Sequence, residues 1–247
     1  MISIVLIGDE ILSGAVVESN LHPLITGLGS IGYAVGEVRI VPDVVPTIAQ
    51  TIEELLPHSS HVITVGGIGP THDDRTLEAV ALANHVPLVT NEEMLTFLEG
   101  RYGTPLQAMV RQMADLPEGT EITGCAEGRW PLIRSGSVFV LPGLPMALRD
   151  KVERLLLALP HHAPVVRQQI FLSADESIFA DWLDSFQESH REVTIGSYPV
   201  SGGFDYATRI DIKGESCDVV HRCASEIQRY AERMQWFVRE DLGGCNE

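Results

Sequence analysis

Three short apolar runs constrain this chain more than any other feature: "ISIVLIG" from Ile2, "AVGEVRIVP" from Ala34 and "HVITVGG" from His61. The first and third are apolar without the polar alternation of a half-solvated strand, which is the pattern of a strand buried on both faces. Segments of helical periodicity separate the runs. Leu21, Leu24, Ile25 and Leu28 mark a helix over about 18–30, and further helices are expected over about 44–56 and 74–85, the last with Leu77, Val80, Ala81 and Asn84 on one stripe. Strands alternating with helices of this length make βαβ units and a parallel sheet. Helices over about 91–101, 105–114 and 145–158 follow, with a hairpin around Ser135–Gly136 in "WPLIRSGSVFVLPG".

After the His/Pro segment "LPHHAP" the pattern changes, so the domains are expected to be 1–162 and 163–247. The second part reads strand ("VVRQQIFL"), helix (about 175–187), strand ("REVTIGSYP"), strand ("YATRIDIKG"), helix (about 216–234) and strand ("QWFVRE"). That βαββαβ order is a split-βαβ arrangement.

The net charge is −17, and the chain has no Lys/Arg run. A nucleic-acid partner is not expected, because phosphate-backbone binding needs a basic patch, and no membrane partner is expected for the same reason. The run at Ile2–Ile7 is too short to span a bilayer and has no basic segment before it, so a cytoplasmic location is expected. Cys125, Cys217, Cys223 and Cys245 contain no CxxC pair and are expected to be reduced thiols.

The chemistry concentrates in "VGGIGPTHDDRTLEA", Val65–Ala79, which lies after a parallel strand and before a helix. In an open α/β sheet ligands bind at such carboxyl ends. Gly66, Gly67 and Gly69 let backbone approach a ligand closely, and a helix N-terminus offers unpaired N–H donors suited to phosphate. The Gly-Lys-Ser/Thr of a Walker loop is missing. Thr71, Asp73 or Asp74 can cap the helix, but two acids beside His72 exceed what a cap requires. A carboxylate repels a neighbouring phosphate unless a cation lies between them, and Mg²⁺ shared by Asp74 and a diphosphate removes the conflict.

Two further strand ends carry comparable loops. In "IGDEILSG", bracketed by Gly8 and Gly14, Asp9 and Glu10 aim at the same rim if the strands are neighbours, and Asn20 can add a polar contact. "VLPGLP" makes a stiff loop in which Pro142 and Gly143 bring backbone toward a ligand. In "IGSYP", Ser197 and Tyr198 either face a cleft or simply end a strand. His22, His58, His61 and His85 are scattered, and His161 and His162 sit at the boundary, so a His-based zinc site is not expected. Neither GxSxG nor a Cys/His pairing marks a covalent nucleophile.

"TVGGIGPTHDDRTLEAVA" resembles the signature of the MoaB/Mog-type molybdopterin-binding domain, and "IGDEILSG…SN" and "VLPGLP" resemble its other two ligand loops. The GPTHDD form is similar to the N-terminal domain of CinA proteins and to the molybdopterin-binding-like domain of eukaryotic FAD synthase. "ADES…IGSYP…YATRIDI" is similar to the small domain that follows in those proteins. The resemblance implies a three-layer α/β/α Mog-like domain with a mostly parallel sheet, followed by a small α/β domain. It also implies a homo-oligomer and a nucleotide or pterin ligand. It places the ligand at Gly8, Gly14, Asn20, Gly66, Gly67, Gly69, Pro70, Thr71, Pro142 and Gly143, with Ser197 and Tyr198 from the second domain. A divalent metal (Mg, Mn or Co) is expected at Asp9, Glu10 and Asp74, with Asp74, Asp73 and His72 as catalytic groups.

Leu144 stands where molybdopterin enzymes carry Asn, Met146–Ala147 stand where CinA proteins carry Glu, and Glu18 precedes the Ser-Asn pair. The resemblance extends neither to the CinA amidohydrolase domain nor to the FAD synthase adenylyltransferase domain. The expected function is metal-dependent hydrolysis of a dinucleotide pyrophosphate such as ADP-ribose or FAD. Adenylyl transfer to molybdopterin and ligand binding without turnover use the same loops and stay open.

Overall fold

In the computed structural model, which describes residues 1–125, 129–200, 202 and 204–241, the chain divides into two units, Met1–His162 and Ala163–Glu247. The first unit runs β1 (Ile2–Ile7), α1 (Asp9–Leu12), α2 (Leu21–Ser30), β2 (Val35–Val41), α3 (Val45–Leu55), β3 (His61–Val65) and α4 (Thr76–Ala83). It continues through β4 (Leu88–Thr90), α5 (Glu92–Tyr102), α6 (Ala108–Gln112), β5 (Asp115–Pro117), β6 (Glu121–Thr123), β7 (Leu132–Ser135), β8 (Val138–Leu141) and α7 (Pro145–Ala158).

β1 is buried at all six positions, and the period-2 alternation of a strand divides its side chains between two cores. Ile2, Ile4 and Leu6 pack with Leu24 and Leu28 of α2 and Leu148, Val152 and Leu155 of α7. Val5 and Ile7 face the other way, onto Ile48, Ile52 and Leu55 of α3 and Ala79, Val80 and Ala83 of α4. This is the three-layer α/β/α arrangement that the uninterrupted apolar runs require. The sheet order is β2-β1-β3-β8-β7-β6. Neighbours from β2 through β8 are parallel, while β7 and β6 are antiparallel, joined to β8 by the expected hairpin.

The second unit is β9 (Val166–Leu172), α8 (Ala180–Ser189), β10 (Val193–Pro199), β11 (Thr208–Gly214), α9 (Cys217–Arg233) and β12 (Phe237–Asp241), in the expected βαββαβ order. Its sheet, β10-β11-β9-β12, is antiparallel throughout. The stripe Val220, Cys223, Ala224, Ile227 and Ala231 of α9 packs on Ile170, Leu172, Ile210 and Ile212, the one-faced burial proper to an amphipathic helix.

Several local expectations are corrected. The helix expected over about 18–30 begins at Leu21, because Glu18 folds its carboxylate back to accept from the Asn20 and Leu21 N–H groups at 2.5 and 3.0 Å. Residues 9–12, expected to lie in a loop at the end of the first strand, form the one-turn α1. The helix expected over about 105–114 is shortened to Ala108–Gln112, and β4 pairs antiparallel with β5, a small sheet the periodicity did not show. The helix expected from about 175 is a 3₁₀ turn, Glu176–Ile178, followed by α8. Cys125 and Cys223 are free thiols, but Cys217 is disulfide-bonded, which corrects the reduced state expected for it; Cys245 lies outside the described residues. Among the described residues no helix is long and apolar enough to cross a membrane.

α7 carries a costly residue. Lys151 is 3% exposed, and its Nζ finds no hydrogen-bond partner among the described residues; the Asp150 carboxylate is 3.8 Å away. Burial, with Arg154 adding repulsion, lowers its pKa from 10.5 to about 8. The charged amine therefore destabilises the native state fully below pH 8, by about 3 kcal/mol. The penalty disappears as pH rises from 8 toward the unfolded value. Urea unfolding should show Lys151→Met more stable at pH 7 by up to that amount, with the advantage shrinking above pH 8 and gone near pH 10.5.

Candidate functional site

Parallel pairing sets the carboxyl ends of β2, β1, β3 and β8 in one row. Ile7 lies opposite Val41, Leu6 opposite Val65, and Val65 opposite Leu141. The loops that leave this row meet at Gly66. Its N–H donates to the Leu141 carbonyl at 3.0 Å. A Cβ on Gly66 would stand 2.3 Å from the Ile7 carbonyl oxygen, and φ there is +111°. On the other side Gly143 approaches so closely that its own Cβ would lie 3.3 Å from the Gly66 Cα. Three chain segments thus pass within backbone distance of one another, and only glycine at residue 66 permits it.

The turn from Gly67 to Thr76 is held from within. The buried Thr76 hydroxyl donates to the Gly66 carbonyl at 2.8 Å, and the Thr76 N–H donates to the Gly67 carbonyl at 3.0 Å. A Cβ on Gly67 would lie 2.4 Å from the Thr76 Oγ1. Asp74 Oδ2 accepts from the Thr71 N–H at 2.9 Å and from the Thr71 hydroxyl, and it sits 2.6 Å from where a Gly69 Cβ would stand. Asp74 is therefore the residue that closes the Gly-Pro-Thr turn with one oxygen; the other keeps its lone pairs. The Thr71 side chain beside it and its own backbone N–H hold the Asp73 carboxyl below its ordinary range. His72 is 95% exposed, with only Asp73 close, at 3.9 Å from Nδ1. Pro70 and Thr71 are exposed at the turn's tip.

At the first loop the Glu10 carboxylate folds back over Gly8, 2.6 Å from a Cβ position. The Asp9 N–H donates to Asp43 Oδ2 at 2.9 Å. Asp43 follows Val41 at the same offset at which Asp9 follows Ile7, and the two strands are in register, so both acids reach one rim. Sequence reading passed over Asp43 as the lead-in to α3; that shared offset was the signal for it. Burial raises the Asp43 carboxyl above its ordinary range, with repulsion from Glu10, Asp9 and Asp73 adding to the effect. Four carboxylates thus share one local field beside the glycine turn.

Asn20, buried before α2, donates Nδ2 to the Gly143 carbonyl at 2.7 Å and fixes the third loop. Its Oδ1 is buried with no hydrogen-bond partner among the described residues. Pro142 is half-buried at the start of that loop, and Leu144 is 73% exposed. Gly14, at φ +74°, lies in open space. Ser197 and Tyr198 belong to the second unit. There the Ser197 hydroxyl donates to Glu176 Oε2 at 2.8 Å, and the Arg209 guanidinium covers the Tyr198 ring at 4.8 Å.

Among the described residues no group of three or more His, Cys, Asp or Glu side chains is gathered closely enough to hold a metal ion unaided. The arrangement suits Mg²⁺ taken with one or two carboxylates, the rest of its shell coming from water and phosphate oxygens.

The profile of a probable molybdopterin binding domain matches residues 3–162, and that of the FAD synthase middle domain matches residues 164–237. A protein of Archaeoglobus fulgidus is 31% identical over 81% of this chain and 86% of its own. A CinA-like protein of Gemmatimonas aurantiaca is 32% identical over 83% of this chain and 51% of its own. A probable FAD synthase of Caenorhabditis elegans is 25% identical over 92% and 49%. The chain spans about half the length of these last two relatives. Among solved structures, CinA from Thermoplasma acidophilum superposes with a TM-score of 0.58 at 28% identity, over 64% of this chain and 96% of that one.

The crowding at residue 66 makes a quantitative prediction. Gly66→Ala should cost about 3 kcal/mol or more, because the Cβ meets an immovable backbone carbonyl. Gly14→Ala, at positive φ in open space, should cost about 1 kcal/mol. Thermal unfolding of the two variants checks the contrast.

Proposed function

This chain belongs to the molybdopterin-binding domain family, and from that premise we propose that it is a divalent-metal-dependent hydrolase of a dinucleotide pyrophosphate, of the ADP-ribose or FAD class. The observation that carries the reading is the pairing of opposites at one rim: a glycine turn shaped for close backbone approach, and beside it the half-buried Asp43 carboxylate, repelled by Glu10, Asp9 and Asp73. Phosphates alone worsen that repulsion, and a cation alone leaves the turn unused. A diphosphate brought with Mg²⁺, Mn²⁺ or Co²⁺ satisfies both.

In this reading Gly67, Gly69 and Gly143 admit the diphosphate to backbone distance, and Asn20 holds the third loop in place through the Gly143 carbonyl. One or two of the carboxylates of Asp9, Glu10, Asp43 and Asp74 would hold the ion, with water and phosphate oxygens completing its shell. When bound, the metal supplies neutralisation of phosphate charge and a more acidic water. Asp73, or the exposed His72, takes the proton from the attacking water. The water oxygen bonds to one phosphorus, the bridging P–O bond breaks, and the departing phosphate carries the electron pair. ADP-ribose then yields AMP and ribose 5-phosphate, and FAD yields AMP and FMN.

Chromatographic measurement of AMP released from ADP-ribose and FAD, with each metal in turn, tests the reading. The wild-type chain should release AMP only with a divalent ion. Asp74→Ala and Asp43→Asn should each lower the rate by about a hundredfold or more. Asp43→Asn should do so with little change in melting temperature, since Asp43 makes a single backbone contact. Binding without release under any metal leaves a binding module, and an Asp74→Ala rate equal to wild type removes the assigned site.

A further inference from the structure

The Gly69–Asp74 turn has a second side. It walls a cavity of about 430 Å³ whose other walls come from α4, β4, α6 and β5. The apolar lining is Leu77, Leu88, Met109 and Met113. Leu88 is 39% exposed and Met109 41% exposed, so two large apolar side chains are held open to a concave space. The volume is that of a small-molecule site. Flexible thioethers adapt to flat rings and make favourable contacts with them.

The polar groups in this cavity define the ligand further. The Arg75 guanidinium is paired with Glu78, with Nε at 2.7 Å and an Nη at 2.6 Å from Oε2, so its charge is offset locally. Asp115 Oδ1 accepts the Thr90 hydroxyl at 2.7 Å, which fixes the carboxylate and leaves Oδ2 without a protein donor among the described residues. Asp74, Glu78 and Asp115 against Arg75 alone give the lining a net negative charge. A phosphate is repelled from it, and a neutral ring that donates an N–H is favoured.

We propose that this cavity takes the adenine ring of an adenosine diphosphate-containing substrate, with Asp115 Oδ2 accepting from the exocyclic amine and Leu88, Met109 and Met113 packing on the ring. The inference rests on the reading that the diphosphate lies at the glycine loops, since Gly69, Pro70 and Thr71 border both places. It also gives a reason why ADP-ribose and FAD can share the site: adenosine diphosphate is the part they have in common. Adenine presents the required donor at N6, and hypoxanthine, its counterpart in IMP, presents a carbonyl there instead.

Calorimetric titrations of the full chain in Mg²⁺ with AMP, IMP and inorganic pyrophosphate test the assignment. Wild type should bind AMP about tenfold more tightly than IMP, the effect of one hydrogen bond to a charged group. Asp115→Asn should narrow that ratio to within about threefold and leave pyrophosphate binding unchanged. Should Asp115→Asn fail to fold, Met109→Ala on the exposed face of α6 serves instead, weakening AMP and IMP together and sparing pyrophosphate. Equal affinity of wild type for AMP and IMP, no AMP binding, or equal losses for AMP and pyrophosphate in either variant would overturn the assignment. Failure of pyrophosphate alone to bind, with AMP still preferred through Asp115, instead overturns the phosphate reading of the glycine loops.

Discussion

The carbonyl oxygen of Ile7 occupies the place a side chain at residue 66 would need. That contact lets the ends of β1 and β3 close on each other, and Gly143 then packs on the far side of the same glycine. Everything argued about the site follows from three loops held at backbone distance. Asp43, after β2, accepts the Asp9 N–H of the first loop and lies 3.5 Å from where a Gly67 Cβ would stand in the second, and Asn20 anchors the third through the Gly143 carbonyl.

The loops close at an electrostatic cost. Asp43 is bound to the Asp9 N–H, yet burial, with the field of three other acids added, raises its carboxyl rather than lowering it. Elsewhere at this rim, carboxylates have local tasks: Asp74 closes a turn, and Glu18 caps α2. Asp43 accepts the Asp9 N–H and so ties the first loop to the end of β2; in the proposed function a cation offsets the charge gathered there. Lys151 is a second buried charge, and burial lowers its pKa to about 8.

Much of this was legible in the sequence. The strand runs Ile2–Ile7 and His61–Val65 are long, apolar and ended by glycine, so their burial between two helical layers followed from pattern alone. The helix stripes followed for the same reason. α1 was hidden because four residues cannot show a period. The β4–β5 pair was hidden because each strand has three residues and Leu88 and Val89 are exposed. Asp43 was hidden by its setting: in "PDVVP" it reads as the approach to a helix, and only the register of β1 with β2 places it beside Asp9. The disulfide at Cys217 was illegible because spacing says nothing of which thiols meet in space.

The central claim is that the glycine turn accepts a diphosphate only when a divalent cation offsets the acids around it. Calorimetric titration of ADP into the full chain, in millimolar Mg²⁺ and again in EDTA, tests it directly. The account predicts binding in Mg²⁺ and a loss of at least about tenfold, some 1.4 kcal/mol, in EDTA. ADP bound with the same Kd in both solutions would contradict it.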